Sequence, residues 1–215
     1  MDRLVELFET EGYTILDDIL SETDIARIEL KLEKVNVKKA GTRNLLLFDW
    51  CIQLAQSLKQ HSSIAPLLTK DSTAVQCTYF TKSFDQNWLV ALHRDFSIPV
   101  KDRIDVQGWS AWSKKEGINF VRPPEVVLRK LVAVRLHLED NTEQNSPLQV
   151  VPGSHKNREP SGLRVNCPVH MGGALIMRPL LLHASSKLTT GTRRVLHFLY
   201  GPSSLPDNAE WANAV

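Results

Sequence analysis

The stretch His93-Arg94-Asp95 carries the residue types of a metal site. On a strand, side chains two positions apart point to the same face, so His93 and Asp95 would offer a divalent metal one imidazole nitrogen and one carboxylate oxygen. The pattern is weak by itself, because His-x-Asp also arises by chance as an ordinary polar strand in a chain with 7 histidines. A third ligand has to come from elsewhere in the chain.

His183 is the candidate third ligand. With a turn centred near residues 188 and 189, antiparallel pairing of the last two strands would place His183 opposite or beside Arg194 on one face. A guanidinium suits bidentate recognition of a carboxylate, and Ser185 shares that face and offers a hydroxyl. Two histidines and one carboxylate with open coordination positions are the ligand set of non-haem Fe(II) oxygenases. The arginine implies a dicarboxylate cosubstrate.

The elements that would position these residues begin with a helical part, about residues 1–72. Helical spacing of apolar residues predicts a first helix that ends at Gly12. Ser21 followed by Asp24 resembles a capping box that opens a helix over roughly 22–35. A third helix is expected near 48–60, and a short fourth helix with Pro66 in its first turns.

From residue 73 the pattern changes to strands, which we predict at 73–80, 88–92, 131–138, 147–151, 172–177, 180–183 and 194–200. Helices followed by six to eight strands favour an α+β fold, with a double-stranded β-helix (jelly-roll) core over about 73–200 and the N-terminal helices packed on one sheet. No linker divides the chain, so we expect one domain over 1–215. The polar stretches 97–124 and 156–168 are interpreted as loops that cover a site.

Composition excludes several classes of function. Net charge is +2, which is too small to indicate a nucleic-acid or anionic-membrane partner. No run of about 18 apolar residues or secretory leader is visible, so we expect no membrane span. The three cysteines are widely separated and form no CxxC, which favours a reducing, cytoplasmic setting. We expect a monomer or weak homodimer that acts on a small molecule.

The chain resembles the phytanoyl-CoA dioxygenase family of Fe(II)/2-oxoglutarate oxygenases over roughly residues 8–200. The resemblance rests on Asn87-Trp88 through His93-Arg94-Asp95, on Pro147 through His155, on Met177 through Ser186, and on the arginine eleven residues after the distal histidine, Arg194. Together these motifs are far more specific than His-x-Asp alone.

The resemblance implies roles for these residues. His93, Asp95 and His183 would bind Fe(II), and Arg194 and Ser185 would hold the distal carboxylate of 2-oxoglutarate. The implied reaction consumes O2, releases succinate and CO2, and hydroxylates an unactivated C–H of a small or medium-sized metabolite. Halogenases of the family lack the carboxylate ligand, so the presence of Asp95 favours hydroxylation. The alternatives are a metal dioxygenase without a cosubstrate and a catalytically idle relative that acts as a sensor or scaffold.

Several other polar residues have two interpretations. His155 is the competitor for third ligand, although a histidine in its Pro-Gly-Ser-His turn is expected to pack locally. His197 is expected to be structural, because it lies three residues after Arg194 and so on the opposite face. Arg193 is the alternative to Arg194, and the eleven-residue spacing selects Arg194. Gln76 and Thr78 share a strand face and are candidates for contact with the cosubstrate or the substrate.

The remaining candidates concern the substrate. Arg43 would either meet a substrate anion or remain solvated, and Arg135 would either line the pocket or be a satisfied buried side chain. Trp109 and Trp112 would form a lid or anchor a loop by apolar packing.

Overall fold

The chain begins with helices and continues as antiparallel sheets in the computed structural model, which describes residues 3–35, 41–157 and 162–215. Within these ranges the helices are α1 (Arg3–Glu11), α2 (Glu22–Leu32), α3 (Asp49–Gln60) and α4 (Glu125–Leu128). The strands are β1 (Tyr13–Leu16), β2 (Gly41–Thr42), β3 (Ser72–Lys82), β4 (Val90–His93), β5 (Ile98–Val100), β6 (Ser110–Lys115), β7 (Ile118–Arg122), β8 (Val132–His137), β9 (Leu148–Val150), β10 (Val165–Cys167), β11 (Ala174–Met177), β12 (His183–Ser185) and β13 (Arg193–Pro202).

The N-terminal helices begin and end where the sequence places their caps. The Ser21 hydroxyl accepts a hydrogen bond from the Asp24 amide, and the Asp24 carboxylate accepts one from the Ser21 amide, so the capping box of α2 is present. Gly12 follows α1 with φ +81°, a left-handed conformation that favours glycine. The short fourth helix expected after residue 62 is a single 3-10 turn, Ala65–Leu67.

The strands form three antiparallel sheets. The large sheet has the order β1-β11-β8-β13-β3-β2, and the small sheet has the order β10-β9-β12-β4. The third sheet, β5-β7-β6, lies between β4 and β8 in the chain. The expectation that 97–124 is a loop is therefore wrong, because most of this segment satisfies its backbone hydrogen bonds as a sheet of its own.

Each face of the large sheet buries a different apolar cluster. Along β8, Val134 and Leu136 pack with helical residues such as Phe8 and Leu58, whereas Ala133 packs on the opposite face with residues of the small sheet. Because side chains alternate along a strand, the face of β8 opposite the helices also carries Arg135 and His137. The helices thus cover one side of the large sheet, and polar residues enter the space on the other side.

The second expected loop, about 156–168, contains the strand β10, and its residues 158–161 lie outside the described residues. Within the described part of the chain, no helix has both the length and the apolar character needed to cross a membrane.

Candidate metal centre

Two neighbouring strands of the small sheet bring the three predicted metal ligands together. His93 ends β4 and His183 begins β12, and these residues are direct partners in the antiparallel pairing of the two strands. The Nε2 atoms of His93 and His183 lie 3.5 Å and 3.6 Å from the carboxylate oxygens of Asp95. One ligand atom from each of the three residues lies within 4.8 Å of the others, so the set could hold one metal ion.

Backbone contacts orient all three side chains. The Nδ1 atoms of His93 and His183 each lie 2.8 Å from the carbonyl oxygen two residues earlier, that of Ala91 and that of Leu181. If each Nδ1 carries its proton, both Nε2 atoms are free to coordinate. The expectation that Asp95 lies on the same strand as His93 is wrong: β4 ends at His93, and the Asp95 amide donates to the Pro179 carbonyl at 2.9 Å.

The electrostatic environment favours the ligand form of two of these groups. Burial opposes ionisation of Asp95, but the hydrogen bond from His93 and the proximity of His183 lower the pKa of the carboxyl overall. Burial lowers the pKa of His183, which keeps its imidazole neutral. The Asp95 hydrogen bond raises the pKa of His93. A metal would compete with that proton, as it does at any histidine ligand.

A cavity of about 190 Å³, here called the inner chamber, opens from the triad between the two sheets. Lys82 and Arg193 are buried at its far end, and both donate to the Ser185 hydroxyl oxygen, at 2.8 Å and 2.6 Å. Burial and the nearby Arg193 and Arg135 lower the pKa of Lys82 to about 7. Ser185 therefore lines the same chamber as His183, but its hydroxyl contacts Arg193 and Lys82 instead of the expected Arg194. This end of the chamber is suited to a carboxylate.

Arg194 lies on the other side of the large sheet. Its guanidinium contacts Glu139 and lies 2.7 Å from the Glu29 carboxylate of α2. The predicted pairing of His183 with Arg194 is wrong, because β12 pairs with β4 and β9 whereas β13 pairs with β3 and β8. The two strands belong to different sheets, and alternation along β13 points Arg193 into the space between them.

His197 and Arg135 also line the inner chamber. The Arg135 Nη1 lies 3.2 Å from the His197 Nδ1, and the Arg135 Nε is buried without a hydrogen-bond partner among the described residues. Burial and the charge of Arg135 lower the pKa of His197 to about 3, so the imidazole is neutral at ordinary pH. His197 lies on the face opposite Arg194, as expected, but this is the inward face that it shares with Arg193, so it lines the chamber.

A second cavity of about 300 Å³, the outer chamber, meets the inner chamber at Phe80, Asp95 and His197. Gln76 lines it and donates to the Thr78 hydroxyl at 2.7 Å, which places both residues on the inward face of β3. The outer chamber is also lined by Arg43, Arg94, Phe96, Lys115 and Phe120. Asp95 of the triad thus lies at the junction of the two chambers, whereas His93 and His183 line the inner chamber.

The other sequence candidates have local partners. Trp109 is buried and donates through its indole nitrogen to Asp207 at 2.8 Å, and Trp112 lies under the Arg103 guanidinium. His155 packs so closely on Gly12 that a Cβ there would lie 2.3 Å from its Nδ1, as the local-packing interpretation expects.

Lys82 lines the inner chamber but was not among the residues predicted from the sequence. It follows Gln76, Thr78 and Phe80 in steps of two along β3, but the predicted strand ended at residue 80. Extending the alternation by one step would have placed Lys82 on the same inward face.

Comparison with known families identifies the fold family. The model of the phytanoyl-CoA dioxygenase family (PhyH) matches residues 8–195, most of the chain. The chain belongs to the phytanoyl-CoA dioxygenase family. The match confirms the resemblance that the motifs indicated. No curated protein sequence matches the chain significantly.

Several solved structures share the fold of this PhyH family member. The α-ketoglutarate-dependent epimerase SnoN of nogalamycin biosynthesis has a TM-score of 0.70 and 16% identity, and the match covers 96% of this chain and 90% of SnoN. HygX from Streptomyces hygroscopicus, crystallised with iron, has a TM-score of 0.67 and 18% identity over 94% of this chain and 87% of HygX. AviO1 from Streptomyces viridochromogenes Tue57 has a TM-score of 0.64 and 19% identity, and the match covers 94% of this chain and 95% of AviO1.

Proposed function

We propose that this protein is an Fe(II)- and 2-oxoglutarate-dependent dioxygenase that hydroxylates an unactivated C–H of a small or medium-sized metabolite. The observation that carries the proposal is the convergence of His93, Asp95 and His183 beside a buried cationic chamber. Family membership supports it. Structures of the same fold support it as well, since HygX was crystallised with nickel, 2-oxoglutarate and hygromycin B.

The donor set fits Fe(II). Two imidazole nitrogens and one carboxylate oxygen form the facial triad of non-haem iron oxygenases, and the ion would be held by His93, Asp95 and His183. The hydrogen bonds from the two Nδ1 atoms hold the rings in orientation. Bound Fe(II) supplies the activation of O2 that couples decarboxylation of 2-oxoglutarate to oxidation of the substrate.

The inner chamber fits the cosubstrate, with two changes to the expected residues: a different arginine and an added lysine. Arg193, Ser185 and Lys82 would hold the distal carboxylate of 2-oxoglutarate, and Arg193 replaces Arg194 in this role. The buried guanidinium and ammonium supply charge-assisted donors, and the Ser185 hydroxyl fixes the spacing between them. Phe80 and Leu148 line the same chamber and would exclude water from the bound cosubstrate.

Gln76 and Thr78 remain proposed contacts of the cosubstrate or the substrate. Gln76 faces the outer chamber, and its hydrogen bond to Thr78 holds the amide there. A substrate in the outer chamber would approach the metal from the side of Asp95 and His197, whereas the cosubstrate would occupy the other chamber. This separation lets the two molecules bind together and positions the C–H next to the metal.

The strand order supports the predicted jelly roll. In chain order, strands β3, β8, β11 and β13 belong to the large sheet, and β4, β9, β10 and β12 to the small sheet. Eight strands divided between two facing antiparallel sheets in this way are typical of a double-stranded β-helix with two Greek keys. Both apolar clusters contact the large sheet, which supports a single domain over 1–215. The free cysteines Cys51, Cys77 and Cys167 are compatible with the proposed reducing, cytoplasmic setting.

Succinate formation tests the function. The protein is incubated with Fe(II), ascorbate, 2-oxoglutarate and a metabolite panel, and succinate is quantified. We expect succinate release that requires both Fe(II) and 2-oxoglutarate, with substrate-independent turnover as the lower limit.

Asp95→Ala should lower the rate of succinate release by at least about 100-fold through loss of a metal ligand. Hydroxylated product, identified by mass, would distinguish hydroxylation from epimerisation or ring closure.

Three outcomes separate the alternatives. No succinate under any condition, together with measurable binding of Mn(II) and 2-oxoglutarate, would favour the idle sensor or scaffold. Product formation without 2-oxoglutarate would favour a metal dioxygenase that uses no cosubstrate. Succinate release accompanied by an isomerised or cyclised product would retain the cofactors and overturn hydroxylation.

A further inference from the structure

The outer chamber carries a positive charge that the proposed cofactor chemistry does not use. Lys115, at the end of β6, lines this chamber together with Asp95. The cations that would hold 2-oxoglutarate, Lys82 and Arg193, line the inner chamber instead. Lys115 therefore lies on the side of the metal where a substrate would bind.

The position of Lys115 is fixed by the turn that follows it. Glu116 and Gly117 connect β6 to β7 with φ values of 51° and 86°, the left-handed geometry of a two-residue hairpin turn. The Glu116 carboxylate accepts hydrogen bonds from the Thr42 hydroxyl at 2.9 Å and from the Arg43 amide and Nη1, each at 3.0 Å. These contacts hold the hairpin against β2 and the residue that follows it, Arg43.

The two arginines that line the outer chamber already have partners within the protein. The Arg43 guanidinium pairs with Glu116, so its charge is compensated. Arg94 donates to the carbonyls of Leu180, Ser154 and Asn157. The Lys115 ammonium instead lies 4.8 Å from the ring centroid of Phe120, a cation–π contact that uses none of its three hydrogen-bond donors.

The walls beside Lys115 are aromatic. Phe80, Phe96 and Phe120 line the outer chamber, and Phe96 is covered by the Arg122 guanidinium at 4.2 Å from its ring centroid. Burial and the charge of Arg43 lower the pKa of Lys115, while Asp95 opposes this effect. An anion bound to the ammonium would compensate its charge in a partly desolvated site.

We propose that the substrate carries an anionic group, a carboxylate or a phosphate ester, which Lys115 binds while the apolar part of the molecule packs on Phe80, Phe96 and Phe120. This inference rests on the proposed function and specifies the class of its substrate. Because the hairpin is fixed by Glu116, the ammonium sets the position of the substrate along the chamber. Lys115 is therefore a specificity-determining residue for the C–H presented to the metal.

Proton relaxation measures such binding without turnover. The protein is loaded with Mn(II) and saturating 2-oxoglutarate under nitrogen. Carboxylic acids and phosphate monoesters of three to ten carbons are then titrated. The affinity of each is compared with that of the corresponding neutral amide or alcohol, titrated separately. Paramagnetic relaxation of the probe protons by Mn(II) reports binding next to the triad. Wild type is compared with Lys115→Met, Lys115→Arg and Lys114→Met. Lys114 neighbours Lys115 on β6 but is exposed, which makes it the matched control.

We expect at least one anion to bind about tenfold more tightly than its neutral partner, a preference typical of a charge-assisted contact. Lys115→Met should abolish the preference, Lys115→Arg should retain most of it, and Lys114→Met should leave it unchanged. The affinity for 2-oxoglutarate should be the same in all four proteins.

The inference is overturned if no anion in the panel binds better than its neutral partner, or if the preference survives Lys115→Met. A preference limited to carboxylates or to phosphate monoesters would identify the anionic group within the proposed class. Failure of the wild type to bind Mn(II) or 2-oxoglutarate would overturn the proposed function itself, and with it the inference that rests on it.

Discussion

At the scale of single residues, one position along β13 separates two arginines of different role. Arg193 is buried next to Ser185, whereas Arg194 pairs with Glu29 and Glu139 on the helical side of the same sheet. The two side chains have the same chemistry and differ only in the face of the strand that they occupy. Their environments therefore determine which arginine can contact a ligand near the triad.

We predict that Arg193→Leu weakens 2-oxoglutarate binding by about 30-fold, because a buried charge-assisted contact is lost. The comparison with Arg194→Leu is direct, since both remove a guanidinium from the same strand. Titration of 2-oxoglutarate into the Mn(II)-loaded proteins measures both affinities. If Arg194→Leu has the larger effect, the eleven-residue spacing was the better guide and the proposed cosubstrate contacts are wrong.

Lys82 predicts a pH dependence for the same binding step. Its pKa is lowered to about 7 by burial and by Arg193 and Arg135, so the ammonium loses its proton as the pH rises above this value. Since the cationic form would hold the distal carboxylate, affinity for 2-oxoglutarate should fall between pH 7 and 9. Lys82→Arg stays protonated throughout and should remove the dependence. An equal decline in both proteins would exclude Lys82 as its cause.

At the scale of elements, the pairing of β4 with β12 aligns two ligands that lie 90 positions apart in the chain. His93 and His183 are direct partners across these strands, so the two rings lie side by side with centroids 4.2 Å apart. Asp95 follows the end of β4 and is held by a backbone hydrogen bond to Pro179. The pairing of β4 with β12 therefore places the two imidazoles of the candidate metal site side by side.

The edge strand β2 packs closely on β3, and a substitution at Gly41 tests how much this contact contributes to stability. Gly41 has φ +123°, and a Cβ there would lie 1.8 Å from the Tyr79 carbonyl oxygen of β3. We expect Gly41→Ala to lower the free energy of unfolding by about 3 kcal/mol through backbone strain and displacement of β3. Urea denaturation measures this loss.

Gly117→Ala is the control for that substitution. Gly117 also has a positive φ, +86°, but no atom lies within 4 Å of its added Cβ. Only the left-handed backbone should contribute to its cost, about 1 kcal/mol. Equal destabilisation by the two substitutions would show that the contact with β3 is unimportant.

At the scale of the whole molecule, the large sheet separates an apolar side from a polar one. The helices cover one face, and the opposite face holds the polar residues Arg135, His137 and His197, of which His137 is fully buried. Neither ring nitrogen of His137 has a hydrogen-bond partner among the described residues. Burial, together with Arg135 and Arg193, lowers the pKa of His137 well below its usual range. The fold therefore favours the neutral form of His137.

This burial makes stability depend on pH. Because the pKa of His137 is lower in the folded than in the unfolded state, the unfolded chain binds the proton more readily. Stability should fall as the pH decreases below about 6.5, by up to about 1.4 kcal/mol per pH unit for this one group. Urea midpoints between pH 7 and 5 measure the slope.

His137→Phe should make that slope shallower, whereas the same change at the exposed His170 should not. The other buried histidines, His183 and His197, leave part of the slope in place. A slope unaffected by His137→Phe would refute this explanation.

The sequence by itself indicated the residues of the candidate metal centre and the succession of N-terminal helices followed by strands. His93, Asp95 and His183 were identifiable because their residue types and motif context specify a ligand set, and Ser21 with Asp24 located the start of α2 through a local hydrogen-bond pattern. These features depend on few residues or on contacts within a single turn. They can be read without knowing which strands are paired.

Only the tertiary structure decided which face and which sheet each side chain occupies. A hairpin between β12 and β13 would place Arg194 beside His183. In the structure β12 and β13 belong to different sheets, and Arg193, Lys82 and His197 line the chamber next to His183 instead. A shift of one residue reverses the direction of every side chain on a strand. Strand pairing depends on contacts between distant parts of the chain, so local spacing could not select between neighbouring arginines.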